Sequence, residues 1–303
     1  MARRYSMAIL VIILSGGLLA VPGTKGFAKP SKSLSTHKYY ASIDVNRAPQ
    51  KLVLRSAFAW VEDQRTGECL VQKRAAAVVP IASITKLKTA MVVMDVRMNL
   101  QEPLIIGPED VDTLHHSRSR LQAGTRLTRE EALLVALMAS ENRAAHILGR
   151  TYPGGLAAFI TAMNAKALSL GLAETHFQDS TGLSSSNVSS ARDLARMVNA
   201  AYNYPLIRDF TTREEAVIHS GRRTLTFHNT NRLIRSPRWQ IGLSKTGFID
   251  EAGRCLVMQA HVANRPVLIV LLDAQGKLTR FGDANRIRQW MEGPPQARRT
   301  RKG

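Results

Sequence analysis

Late in the chain, three apolar runs of strand length follow one another almost without interruption: QIGLSKTGF, RCLVMQAHVA and PVLIVLLDA. Links this short cannot carry a crossover, so the three runs must be antiparallel neighbours in one sheet. Far upstream, SAFAWVED and ECLVQK flank QRTG and read as a hairpin with a Gly-containing turn. The chain between them has helical spacing. Leu87, Met91, Val92, Met94 and Val96 predict a helix from Thr85 to about Met98. Thr128 and Glu131 form a capping box that opens REEALLVALMA, which gives out near Ser140. GGLAAFITAMNAKALSLGL is closed by Gly171, Ser190 and Asp193 cap LARMVNAAY, and DANRIRQWME closes the domain as a helix. Residues 113–128 and the segment DSTGLSSSNVSS read as loops. The expected architecture is α+β: an antiparallel sheet built from both ends of a domain spanning 51–292. A mainly helical block, about 87–236, is inserted between the two ends.

The chain ends are of a different kind. MARRYSM followed by AILVIILSGGLLAV has the basic start and short apolar core of an export signal, with small residues Gly26 and Ala28 placing cleavage after Ala28. An uncleaved anchor is the alternative, and either reading exports the bulk of the chain. Residues 29–50 read as a polar linker and 293–303 as a basic tail. The formal net charge is +19. In an exported protein such a charge suits anionic wall polymer or lipid surfaces rather than nucleic acid, for which no motif with interleaved aromatics is present. Much of it reads as a scattered, solvated face. Cys69 and Cys255 lie in strand-like segments and could pair only if sheet order brought them together. No cofactor-binding pattern and no metal-ligand spacing occurs among the Cys and His residues. His115, His116, His146 and His228 read as loop or packing residues, with His228 nearest to a cleft.

Three short motifs carry the chemistry. Ser83-Ile84-Thr85-Lys86 begins the first helix of the block, Ser140-Glu141-Asn142 follows the end of another helix, and Lys245-Thr246-Gly247 lies on a strand. Each is weak alone. A Ser-x-x-Lys match arises by chance roughly once in about 300 residues at average usage. A second occurs here at Ser35 to Lys38, and a second Ser-x-Asn at Ser185 to Asn187. Their order and setting are far more specific. One helical turn puts Lys86 beside Ser83. A serine hydroxyl needs a base, and a lysine is one only when burial or a second cation, here Lys245, disfavours its charged form. The Ser83 and Phe248 N–H groups could form an oxyanion hole, and Gly247 would let substrate backbone approach the strand edge. Ser140 could relay a proton to the leaving amine, and Asn142 could hold Lys86 and bind a substrate carbonyl.

With the segments PIASITKLKTA, ASENRAA, FQDSTGLSSSNVSSARDLARMV, FHNTNRLI and SKTGFIDEAGRCLVMQA, these motifs make the chain resemble a low-molecular-mass penicillin-binding protein. The resemblance is to the D-alanyl-D-alanine carboxypeptidase/endopeptidase family, most similar to its endopeptidase branch. It implies a β-lactamase/transpeptidase-like fold and a serine DD-peptidase that acts on peptidoglycan through an acyl-enzyme on Ser83. It further implies that Ser83, Lys86 and Ser140 are catalytic, that Asn142, Lys245, Thr246, Gly247 and Phe248 bind substrate, and that β-lactams acylate Ser83. Lys88 departs from the family, which commonly has an apolar residue there, and is read as facing outward. The alternatives are a carboxypeptidase, a class A β-lactamase and a non-catalytic wall-binding protein. The β-lactamase would need a deacylating carboxylate in a Glu-x-x-Leu-Asn segment. The region ETHFQDSTGL lacks that pattern.

Overall fold

The computed structural model describes residues 52–293; the export signal, the linker, the Ser35 match and the basic tail lie outside them. The secondary structure opens with the expected hairpin, β1 (Phe58–Asp63) and β2 (Cys69–Lys73). Its turn is held by the Asp63 carboxylate, which accepts from the Arg65 and Thr66 N–H groups at 2.8 and 3.2 Å. The three C-terminal runs are β9 (Gln240–Ile249), β10 (Gly253–Val262) and β11 (Arg265–Ala274). The sheet order is β2-β1-β11-β10-β9 with every pair antiparallel. Strands from the two ends of the described residues therefore share one sheet, as the sequence predicts, and β9 is an edge strand. The order also settles the cysteines: β1 and β11 separate β2 from β10, and Cys69 and Cys255 are free.

β10 and β11 are continuous apolar runs because both faces of the sheet are covered. On β11, Leu268, Val270 and Leu272 pack into the core beneath the helical block, while Val267, Ile269 and Leu271 pack against α7 (Thr279–Glu292). Successive side chains point to opposite faces, and each such aliphatic burial is worth about 1.5–3 kcal/mol. The Asp283 carboxylate of α7 accepts from the Arg55 and Ser56 N–H groups at 3.0 and 2.6 Å, tying both ends of the domain together.

A short strand β3 (Val79–Pro80) leads into a 3-10 turn at Ala82–Ile84 and then α1 (Thr85–Asp95). α1 stops three residues short of the predicted end, and Arg97 beyond it has φ +54°. The block continues through β4 (Pro103–Ile105), β5 (Arg126–Thr128), α2 (Arg129–Met138), α3 (Asn142–Arg150), α4 (Gly155–Ser169), β6 (Val188–Ser189), α5 (Ala191–Tyr202) and α6 (Pro205–Thr212). The Thr128–Glu131 capping box forms as expected, at 3.1 and 2.7 Å. Ser190 caps α5 by accepting from the Asp193 N–H. The block is less purely helical than predicted. It contains the pair β4–β5 and the hairpin β7 (Glu215–Ser220) and β8 (Arg223–His228).

α1 runs through the middle of the block, and every residue from Thr85 to Val93 is buried. That overturns the reading of Lys88 as outward-facing: its side chain is wholly buried, 5.9 Å from the centre of the Phe177 ring. A helix enclosed on all sides has no outward face to offer.

Candidate active site

The turn that carries Ser83 is pinched from two sides. Ala82 has a left-handed φ of +49°. A Cβ at Gly182 would come within 2.0 Å of the Ala82 carbonyl oxygen, and one at Gly247 within 2.9 Å of the Ile81 oxygen. Gly247 is therefore required for β9 to close on the Ser83 turn, which is a more local reason than the substrate access expected from sequence.

Lys86 Nζ donates to Ser83 Oγ at 2.8 Å, to Asn142 Oδ1 at 2.7 Å and to the Thr181 carbonyl at 2.6 Å. Only 1% of the residue is exposed. Burial lowers its pKa to about 7, against the opposing pull of Asp179, Glu141 and Asp112. Burial, rather than the second cation proposed from sequence, thus dominates. Lys245 is also buried, and its pKa is lowered first by burial and then by the charges of Lys86 and Arg280. Its Nζ donates to Ser140 Oγ and to the Thr246 carbonyl, both at 2.8 Å. Ser140 sits at φ +60° in the link between α2 and α3, presented to Lys245 by a strained corner. Asn142 begins α3 and is oriented from its other end, Nδ2 donating to Ser117 Oγ at 2.9 Å. Glu141 caps α3 by accepting from the Arg143 N–H.

All three motifs are therefore joined: Ser83 to Lys86, Lys86 to Asn142, and Lys245 to Ser140. Thr246 and Phe248 lie on β9, the edge strand, with Thr246 buried and Phe248 exposed. The Phe248 ring is 47% exposed and stacked under Arg254 at 4.2 Å. Several supporting residues escaped the sequence reading. Thr230 accepts the Thr246 hydroxyl at 2.7 Å, and Arg280 of α7 donates to the Gly247 carbonyl at 3.3 Å. The decoy Ser-x-Asn has a structural use. Asn187 is buried, its Oδ1 accepting from the Gln178 and Asp179 N–H groups and its Nδ2 donating to Thr85 Oγ1 at 3.0 Å. The Asp179 carboxylate accepts from the N–H groups of Thr181, Gly182 and Ser184. This braced loop delivers the Thr181 carbonyl to Lys86. In the same region Glu174 is paired with Arg192 at 3.2 Å. Among the described residues no three His, Cys, Asp or Glu side chains converge as a metal site would require.

Comparison with known proteins agrees with this geometry. Residues 45–276 match the model of a peptidase family described as D-alanyl-D-alanine carboxypeptidase. The chain is 48% identical over 246 residues to a D-alanyl-D-alanine endopeptidase of Pseudomonas aeruginosa, covering 80% of this chain and 79% of that one. It is 46% identical over 241 residues to a D-alanyl-D-alanine endopeptidase of Escherichia coli, covering 79% and 78%. The crystal structure of the Streptomyces K15 DD-transpeptidase superposes with a TM-score of 0.74 at 27% identity, covering 80% of this chain and 98% of that one. The match over most of its length places the chain: it belongs to the D-alanyl-D-alanine carboxypeptidase family and is a serine-type DD-peptidase.

Proposed function

We propose that this DD-peptidase is an endopeptidase that opens D-alanyl cross-links in peptidoglycan, with Ser83 as nucleophile and Lys86 as its base. The observation that carries the site assignment is the 2.8 Å contact between Lys86 Nζ and Ser83 Oγ, made by a buried amine whose pKa is lowered to about 7. A lysine so placed is substantially neutral at neutral pH and can take the hydroxyl proton as Ser83 attacks the D-alanyl carbonyl. The N–H groups of Ser83 and Phe248 stabilise the developing oxyanion. Ser140, hydrogen-bonded to Lys245, passes a proton to the departing amine as the C–N bond breaks. Water then hydrolyses the Ser83 ester. Asn142 binds the substrate's acyl-side carbonyl, while Lys245, Thr246 and Gly247 receive the leaving group's carboxylate.

The preference for cross-links is supported by the two relatives at 48% and 46% identity, both named endopeptidases. The same reading places the enzyme in the periplasm after removal of residues 1–28, with a catalytic domain at 51–292. Peptidoglycan is its partner and β-lactams are its inhibitors; the basic surface is suited to contact with wall or membrane. The test offers the protein defined muropeptide monomers and cross-linked dimers and identifies products by mass. Dimers cut to monomers, with no activity in Ser83→Ala, is the expected result. Loss of terminal D-alanine from monomers with dimers left intact would assign a carboxypeptidase instead.

A further inference from the structure

Next to Ser140 the protein has a concavity of about 500 Å³ that the mechanism above does not use. One wall is loop residues Arg118 to Arg120, another is Ala139 and Glu141 on either side of Ser140, and the third is the Phe227–His228 end of β8. Its position follows from the backbone. Thr230, two residues beyond His228, donates its N–H to the Met138 carbonyl at 3.1 Å and holds the Thr246 hydroxyl. The concavity therefore begins where the Lys245–Thr246 end of the cleft stops, the end from which the leaving group departs.

Its charges are arranged to receive an anion. Arg118 and Arg120 are exposed and have no acidic partner among the described residues. Arg120 is also held in place: it donates to the Thr226 carbonyl, and its guanidinium lies 5.7 Å from the centre of the Phe227 ring. Two carboxylates border it and both are engaged: Glu141 accepts from Ser119, which lines the same concavity, and from the Arg143 N–H, and Glu215 lies 3.5 Å from His228 Nδ1. A planar guanidinium is the side chain best matched to a carboxylate, which it can grip through two parallel N–H bonds.

We propose that this concavity is the subsite for the leaving stem peptide, with Arg118 and Arg120 gripping its carboxylates. The inference rests on the endopeptidase reading, since a free D-alanine leaving group would not extend past Ser140. An acidic peptide joined through the scissile amide would. The two arginines then act as specificity-determining residues that favour a cross-linked substrate over a terminal D-alanyl-D-alanine.

The experiment measures kcat/KM of the full-length enzyme and of an Arg118→Gln/Arg120→Gln variant. Three substrates are used: a cross-linked dimer, the same dimer with the leaving stem's carboxylates amidated except the one beside the scissile amide that Lys245 and Thr246 receive, and a D-alanyl-D-alanine monomer. Both side chains are exposed, and matching thermal unfolding curves establish that the variant is folded. The expected result is a loss of about tenfold on the native dimer in the variant. Amidation should cost the wild type a similar factor, and the variant should be indifferent to it. An equal loss on dimer and monomer, or equal sensitivity to amidation in both proteins, would overturn the subsite. A wild type that leaves the native dimer uncut is a different result: it refutes the endopeptidase reading itself, and the subsite with it.

Discussion

Two lysines on one helix, Lys86 and Lys88, are buried almost equally, at 1% and 0% exposure, yet they stand in opposite situations. Lys86 faces the cleft and has three acceptors within 2.8 Å. Lys88 faces the opposite side of α1, where its Nζ has no hydrogen-bond partner among the described residues and is enclosed with Phe177. Burial lowers both pKa values, to about 7 and about 8; at Lys88 the nearby Lys166 lowers it further and Asp95 opposes. A lowered lysine pKa by itself is therefore no mark of catalysis. What separates the two is the set of groups that aim the amine: Ser83 to receive it, Asn142 and the Thr181 carbonyl to hold it.

The comparison can be broken by exchanging what each lysine contributes. Lys86→Ala should slow acylation of Ser83 by a penicillin about 10²–10⁴-fold, the usual span for removal of a general base; stopped-flow or intact-mass kinetics would read this directly. Removing the bracing behind it should act more on stability. Asn187→Ala leaves the Gln178 and Asp179 N–H groups without their acceptor and removes the bond donated to the Thr85 hydroxyl, and is expected to cost about 2–3 kcal/mol in denaturant unfolding. Acylation should slow as well, because the loop presenting the Thr181 carbonyl loosens. Lys88→Met should do the reverse, gaining about 1–3 kcal/mol near neutral pH by removing an unpaired buried amine while acylation stays within about twofold.

The sign of the pH effect follows from the direction of the shift. The folded-state pKa of Lys88, about 8, lies below its ordinary value of 10.5. The unfolded chain therefore binds more protons between those limits, and wild-type stability should rise with pH across that window. The difference in stability between Lys88→Met and wild type should be largest below pH 8 and shrink as pH approaches 10.5. A constant difference would mean that Lys88 keeps its proton in the fold.

That the three motifs would meet was legible in the sequence because they lie at helix starts and on a strand, where spacing fixes which groups can meet. Ser83 and Lys86 are one turn apart, and the short links of β9, β10 and β11 made those three strands antiparallel neighbours, while the edge that takes β1 and β2 was left to the structure. The failures share a cause: contacts made by residues distant in the chain. Lys88 was misread because a charge on a helix suggests a wet face, and only the packing of α4 and the Phe177 segment around α1 removes that face. Arg280 reaches the Gly247 carbonyl from a helix 33 positions later, with no local pattern to announce it. The β7–β8 hairpin was missed although β8 alternates, with Leu225 and Phe227 buried between exposed neighbours, and Gly221 marks the turn with φ +58°. Asn187 looked like a decoy, and chemically it is one, but it props the helix on which the real motif stands.

The central claim is that Lys86, and not its buried neighbour, supplies the base. The measurement that tests it is the pH dependence of Ser83 acylation by a fluorescent penicillin, from pH 5 to pH 9, in wild type and Lys88→Met. The expected result is a rate that rises through a midpoint near pH 7, as the buried ammonium loses its proton, with the same midpoint in both proteins. A flat profile, or a midpoint that shifts or vanishes in Lys88→Met, would contradict the assignment.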